Sequence, residues 1–142
     1  MKLLSGLVPL LFFTVISCSA YESAAPRART AEEIEKPEFD ALIKKDSLEK
    51  HQTAAESLDV LLNEGYSGNK VSVIIRNNSN CNIIVRFSGA KYYNMPILKN
   101  NKNFIVVEKG TYSLGANLCR SRYSSSRTFD DSITLTLSES SQ

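Results

Sequence analysis

The chain has 142 residues, 42% of them hydrophobic and 23% charged, with 17 basic against 15 acidic side chains and a net charge of +2. That length suits one modest domain rather than two. A single His and three Cys without a CxxC spacing exclude a His-cluster metal centre and the common zinc frameworks, so neither metal nor cofactor is expected.

Met1 and Lys2 give a short positive start, and Leu3 to Ile16 is predominantly apolar. As a helix that run rises about 21 Å, short of a ~30 Å hydrocarbon core, which is the pattern of a cleaved secretory signal over residues 1–17. Val15-Ile16-Ser17-Cys18 resembles a bacterial lipobox, with Val15 where Leu is usual. On that reading Cys18 is lipidated and becomes the mature N-terminus, and its acyl chains hold the protein on a membrane, expected to be the outer one. The competing reading is cleavage after Cys18-Ser19-Ala20, which would release a soluble secreted protein. With Cys18 set aside, Cys81 and Cys119 form an even pair in an exported chain, and a disulfide is expected between them. A nucleophilic Cys would need a base, and His51, the only imidazole, lies in another segment.

Residues 18–37 read as a flexible tether, small and charged, with Thr30-Ala31-Glu32-Glu33 as a capping box for a short helical turn before Pro37. Residues 38–64 read as a helical segment. Phe39, Leu42 and Ile43 share one face, and Asp46-Ser47-Leu48-Glu49 is a second capping box that predicts a break. Leu48, Ala55, Leu58, Leu61 and Leu62 continue an apolar stripe expected to pack on the domain that follows, with Gly65 as the C-terminal stop.

From residue 69 the period becomes two. Val71, Val73 and Ile75 alternate with polar or outward positions, as do Ile83, Val85 and Phe87, and then Phe104 and Val106 against Ile105 and Val107. Tyr112, Leu114, Ala116 and Leu118 follow, then Ile133, Leu135 and Leu137, with a weaker strand near Tyr92–Leu98 that Pro96 confines to an edge. Asn77–Asn80 and Lys99–Lys102 mark turns, and Lys109-Gly110 a tight hairpin. The fold class is mainly β: a small antiparallel β-sandwich of five to six strands over residues 69–138, preceded by the helical segment and the N-terminal signal helix. A bridge between Cys81 and Cys119 closes a loop of about 39 residues, contributing on the order of 4 kcal/mol.

Charge divides unevenly. Residues 69–142 hold 10 basic and 4 acidic groups, net +6, while residues 19–68 hold 6 basic and 11 acidic, net −5; with Lys2 these sum to +2. The two parts could attract each other within the molecule, or the basic module could meet an anionic glycan, a lipid head group or an acidic envelope protein. The densest basic cluster is Arg120-Ser121-Arg122-Tyr123-Ser124-Ser125-Ser126-Arg127. Arg120, Arg122 and Arg127 can make bidentate contacts with phosphate or carboxylate, and Tyr123 offers a stacking face, a residue mix shared by anion-binding loops and solvated strand connections. Tyr92, Tyr93 and Asn94 form a second candidate surface. Nucleic acid is not an expected partner, since export removes the chain from it and no binding motif is present.

Asn77 to Arg86, then Tyr93-Asn94-Met95-Pro96, Asn103 to Tyr112 and Cys119, resemble an uncharacterised domain of small exported lipoproteins of the Bacteroidota, flavobacterial in type. The resemblance covers about residues 60–137, with the paired Cys and Val107-Glu108-Lys109-Gly110-Thr111-Tyr112 as its most specific parts. It implies export and a β-rich fold but supplies no site residues. The expectation is a lipid-anchored envelope protein with a non-catalytic binding or structural module, no Ser-His-Asp, Cys-His or paired-carboxylate arrangement being apparent. The alternative is a secreted soluble enzyme or inhibitor using the Arg/Tyr/Ser loop after Cys119. Asp130-Asp131 reads as a loop end rather than a metal site.

Overall fold

The structure, a computed structural model, describes residues 27–64 and 68–139. The signal segment, Cys18, the first part of the tether and Gly65 lie outside the described residues. Helix α1 spans Ala31–Asp59 and ends in a π-helical turn over Val60–Glu64. Seven strands follow: β1 Lys70–Asn77, β2 Ile83–Ser88, β3 Tyr92–Ile97, β4 Lys102–Glu108, β5 Gly110–Leu118, β6 Ser121–Phe129 and β7 Ile133–Leu137. One sheet has the order β4-β1-β7 and the other β3-β2-β5-β6, so the fold is a mainly β sandwich with a helix before it.

Inward faces carry the expected apolar alternation. Val71, Val73, Ile75, Ile83, Val85, Phe87, Tyr112 and Leu114 are all buried between the sheets, which removes their apolar surface from water and holds the layers together. Phe87, Tyr93, Tyr112 and Phe129 pack as an aromatic cluster at one end, with ring centroids 5.8–6.4 Å apart. Tyr112 also donates its hydroxyl to the Glu108 carbonyl at 3.0 Å, and burial pushes its phenol pKa up. Gly89 must stay without a side chain there, because a Cβ would lie 2.7 Å from both the Thr111 carbonyl oxygen and the Tyr112 ring.

Several local expectations are corrected. Lys109-Gly110 is a crossover between sheets and not a hairpin, since β4 pairs with β1 while β5 pairs with β2 and β6. Strand β7 lies parallel to β1, an exception to the all-antiparallel expectation. Arg120–Arg127 is not a loop: Ser121–Phe129 forms β6, paired with β5 from Leu118↔Ser121 to Gly110↔Phe129. Ser and Arg hide the strand signal there because β6 is an edge whose pairing comes from backbone hydrogen bonds rather than side-chain burial.

The helix differs as well. Thr30 caps it, its hydroxyl accepting from the Glu33 amide at 3.2 Å while the Glu33 carboxylate accepts from the Thr30 amide at 2.8 Å. This box begins one long helix, which passes through Pro37 without stopping. No break occurs at Asp46, whose carboxylate instead pairs with Lys50 one turn on. The leucine stripe points away from the sandwich: Leu48 is 77% and Leu62 78% exposed, and Leu58 and Leu61 are exposed too. Phe39, Ser57 and Val60 are the buried helical residues. The reason is what lies beneath. The strands have already spent their apolar faces on each other, so α1 rests on outer faces that carry Ser72, Arg86 and Asn94, and on Asn103 of the edge strand β4, and a largely polar helix face meets them.

The expected Cys81–Cys119 disulfide is present, with Cα atoms 5.4 Å apart across a separation of 38 residues. It ties the approach to β2 to the exit of β5. Beside it Asn77, fully buried, donates to the carbonyls of Cys81 at 2.8 Å and Leu98 at 3.1 Å and accepts from the Ser79 amide and hydroxyl. One amide thereby satisfies the backbone of two loops. Reduction of the disulfide is expected to lower the unfolding free energy by about 2–4 kcal/mol, read as a shift in urea midpoint with and without reductant. An unchanged midpoint would show that the loops are held by the Asn77 network alone.

Candidate functional site

Strand register places α1. Along β2 the inward residues are Ile83, Val85 and Phe87, so Ile84, Arg86 and Ser88 face outward, with Pro96, Asn94 and Tyr92 opposite them on β3. The first half of α1 lies on this face. Phe39 and Ile84, 1% exposed, are both buried and line one hollow there, and the Glu32 carboxylate accepts from the Asn82 amide at 3.1 Å.

Arg86 is the central fastening. Its guanidinium donates to both oxygens of Glu38, at 2.6 and 2.8 Å, and to Glu35 at 3.1 Å. Asn117 on β5 donates to the same Glu35 oxygen at 2.9 Å. The hydrogen bonds to Glu38 raise the Arg86 pKa further above its already high value, and the guanidinium holds the Glu38 carboxyl below its ordinary 4.5 against a smaller opposing effect of burial. The second half of α1 reaches the outer face of the other sheet. There Ser57 and Ser72 share a hydrogen bond of 2.6 Å, Glu56 accepts from Lys70 at 2.7 Å, and Lys50 stands 4.1 Å from the Phe104 ring centroid while donating to Asn103 and Asp46. The helix therefore runs diagonally over the seam where β3 and β4 meet.

Between these two fastenings the helix bridges a cleft of about 400 Å³, inside the ~300–1,000 Å³ range of small-molecule sites. Leu42, Lys45, Asp46, Glu49 and Thr53 form its helical wall, β3 from Tyr92 to Pro96 the opposite wall, and Phe104 and Ile105 complete it. Tyr92 is 81% exposed at its rim, whereas Tyr93 is half-buried against the core, 6.4 Å from Phe87. The adjacent Tyr pair and Asn94, visible in the sequence as a candidate surface, thus line one cleft. Asp46 is paired with Lys50, and Lys45 and Glu49 offset each other, so the cleft is close to neutral.

The arginine cluster does not converge. Arg122 lies opposite Asn117 on the outer face of β6, and Arg127 lies opposite Tyr112 on the inner-face side, five residues along. Strand geometry sets those two about 17 Å apart on opposite faces. Arg120 sits in the turn after Cys119, and all three are exposed. Tyr123 is half-buried, its hydroxyl 2.7 Å from that of Ser125. Glu139 approaches within 4.8 Å of the Cys81 and Cys119 sulfurs, but these are bonded to each other and are not free ligands. His51 is exposed on α1, and Asp130 and Asp131 are exposed in the β6–β7 turn. Among the described residues no helix is long and apolar enough to cross a membrane.

Residues 47–140, about two thirds of the chain, match the family model described as Domain of unknown function (DUF6759). The chain belongs to that family. No curated protein and no solved structure matches it. The DUF6759 match takes in the whole sandwich, the disulfide and the β3 wall of the cleft, and begins within α1, so Glu32, Glu35 and Glu38 precede the matched residues.

Because the folded Glu38 pKa lies below its ordinary 4.5, its contribution to docking is present above that value and is lost as pH falls through the folded one. Amide exchange in residues 31–45 is therefore expected to rise several-fold as pH falls below 4.5 and through the folded Glu38 value, while β5 stays protected. Arg86→Gln should produce the same loosening at neutral pH. Equal protection of the helix in that variant would show that the contacts outside Arg86, among them Phe39, Val60 and the Ser57–Ser72 hydrogen bond, are enough to hold it.

Proposed function

We propose that the protein is an exported, lipid-anchored envelope protein whose DUF6759 domain is a non-catalytic binding module, with the α1–β3 cleft as its binding surface. The observation that carries this reading is Tyr92, a large aromatic side chain 81% exposed at the rim of a preformed cleft. A neutral cleft that offers aromatic rings, amide groups and carboxylates suits a neutral, hydroxyl-rich ligand. Sugar rings have apolar faces that stack on Tyr and hydroxyls that hydrogen-bond to Asn94 and Glu49, so a glycan segment is the ligand class assigned. Support for export comes from the signal-like residues 1–17 and from a disulfide, which persists in oxidising compartments. The lipobox-like Val15-Ile16-Ser17-Cys18 supports the anchor and, with the Bacteroidota resemblance, an outer-membrane location.

Two measurements test the two halves of this reading. The mass of the mature protein from a bacterial host should correspond to an N-terminal Cys18 bearing acyl chains; an unmodified N-terminus at Tyr21 would remove the anchor. In native gels containing soluble neutral glucan or mannan, the protein should be retarded, and Tyr92→Ala should weaken that retention about tenfold. Retention equal in the variant, or absent from every neutral glycan tried, would rule out the cleft as a glycan site.

A further inference from the structure

On the outer face of the β4-β1-β7 sheet, register puts Lys102, Arg76 and Thr136 side by side across three strands. Adjacent strands lie about 4.8 Å apart, so the three side chains span about 10 Å. Lys102 and Arg76 are like charges directly opposite each other, an arrangement that destabilises a strand pair unless something neutralises it. Neither side chain has a carboxylate or hydrogen-bond partner among the described residues, and all three residues are exposed. Asn78, Asn100 and Asn101 close the end of the row and leave with it a cavity of about 180 Å³. Asn100 holds a positive φ of 52°, and the Asn101 carboxamide oxygen accepts from the Lys102 amide at 2.8 Å. The surroundings are therefore donors: a guanidinium, an ammonium, a hydroxyl and amide groups.

We propose that this row is a binding site for a phosphate group, with Arg76 as the bidentate ligand and Lys102 and Asn78 completing the cradle. A planar guanidinium matches two phosphate oxygens, and a bound phosphate anion would offset the Arg76–Lys102 repulsion. The site lies at the disulfide end of the sandwich and shares no residue with the α1–β3 cleft, so it stands independently of the glycan reading. The phosphate can be free or carried on a lipid head group, and the chemistry recognised is the same.

The test uses the full chain and the variants Arg76→Gln and Lys102→Gln. Without phosphate both variants should be at least as stable as the parent, because each relieves a like-charge pair. Inorganic phosphate should raise the parent's melting temperature saturably, beyond chloride at equal ionic strength, and each variant should lose about tenfold in apparent affinity. For the head-group source, vesicles of phosphatidylglycerol are compared with phosphatidylcholine vesicles, the anchor contributing equally to parent and variants. Tighter binding of the parent only to phosphatidylglycerol assigns the lipid source, and a response to free phosphate assigns the soluble one. Stabilisation by chloride equal to that by phosphate, or a response unchanged in both variants, overturns the proposal.

Discussion

Arg86 joins the two parts of this molecule. The sandwich satisfies most of its apolar inward faces internally, so what covers its outer faces is held largely by polar groups, and one guanidinium holding two carboxylates makes three of these hydrogen bonds. Its side chain is 40% exposed, so water and salt screen the pair and its stabilisation falls well below that of a buried one. What it supplies is placement. With Glu35 and Glu38 fixed on β2 and Asn117, and Ser57 fixed on Ser72, α1 has no freedom to settle into the gap at the β3–β4 seam, and a cleft remains beneath its middle.

The opposite end of the sandwich is organised by different means. Three loops meet there, after β1, β3 and β5, and their backbones are held by Asn77, Ser79 and the Cys81–Cys119 bridge rather than by apolar packing. A buried amide with every polar atom satisfied costs little and fixes geometry. The cross-strand Arg76–Lys102 pair can persist on such a base because the strain of two like charges is small beside a bridge and a satisfied network. Rigidity there and polar, screened attachment of α1 elsewhere give the domain one stiff end and one face that opens at lower free energy.

Much of this was legible in the sequence, for identifiable reasons. Period-two alternation in Val71–Ile75, Ile83–Phe87 and Tyr112–Leu118 reports burial between sheets directly, and these residues are the core. The even cysteine pair likewise became the bridge. Strand β6 was hidden because an edge strand needs only backbone partners, and Ser-Arg-Tyr-Ser-Ser-Ser-Arg carries no burial signal. The face of α1 was misread because apolar periodicity marks a buried face only where the surface beneath is apolar; here the leucines face out and Asp46, Lys50 and Thr53 face in. Tyr92, Tyr93 and Asn94 stood out as a candidate surface, but the helical wall opposite them depends on a contact between segments about fifty residues apart, which no local pattern encodes. The same holds for Lys102 and Arg76, neighbours only through register.

The uneven charge of the chain gains meaning from these contacts. Glu35, Glu38 and Glu56 of the acidic segment reach Arg86 and Lys70 of the basic module, and Lys91 finds Glu108 within the module itself. The attraction between the two parts is thus real and intramolecular, but it is spent along the path of α1. Arg76, Lys99, Lys102 and Arg120, at the disulfide end, and Arg122 and Arg127 on β6 have no ion-pair partner among the described residues. A diagonal helix cannot neutralise a surface it does not cross. The positive potential left at that end is consequently set by where α1 is fastened, and an anion approaching the protein meets it away from the neutral cleft.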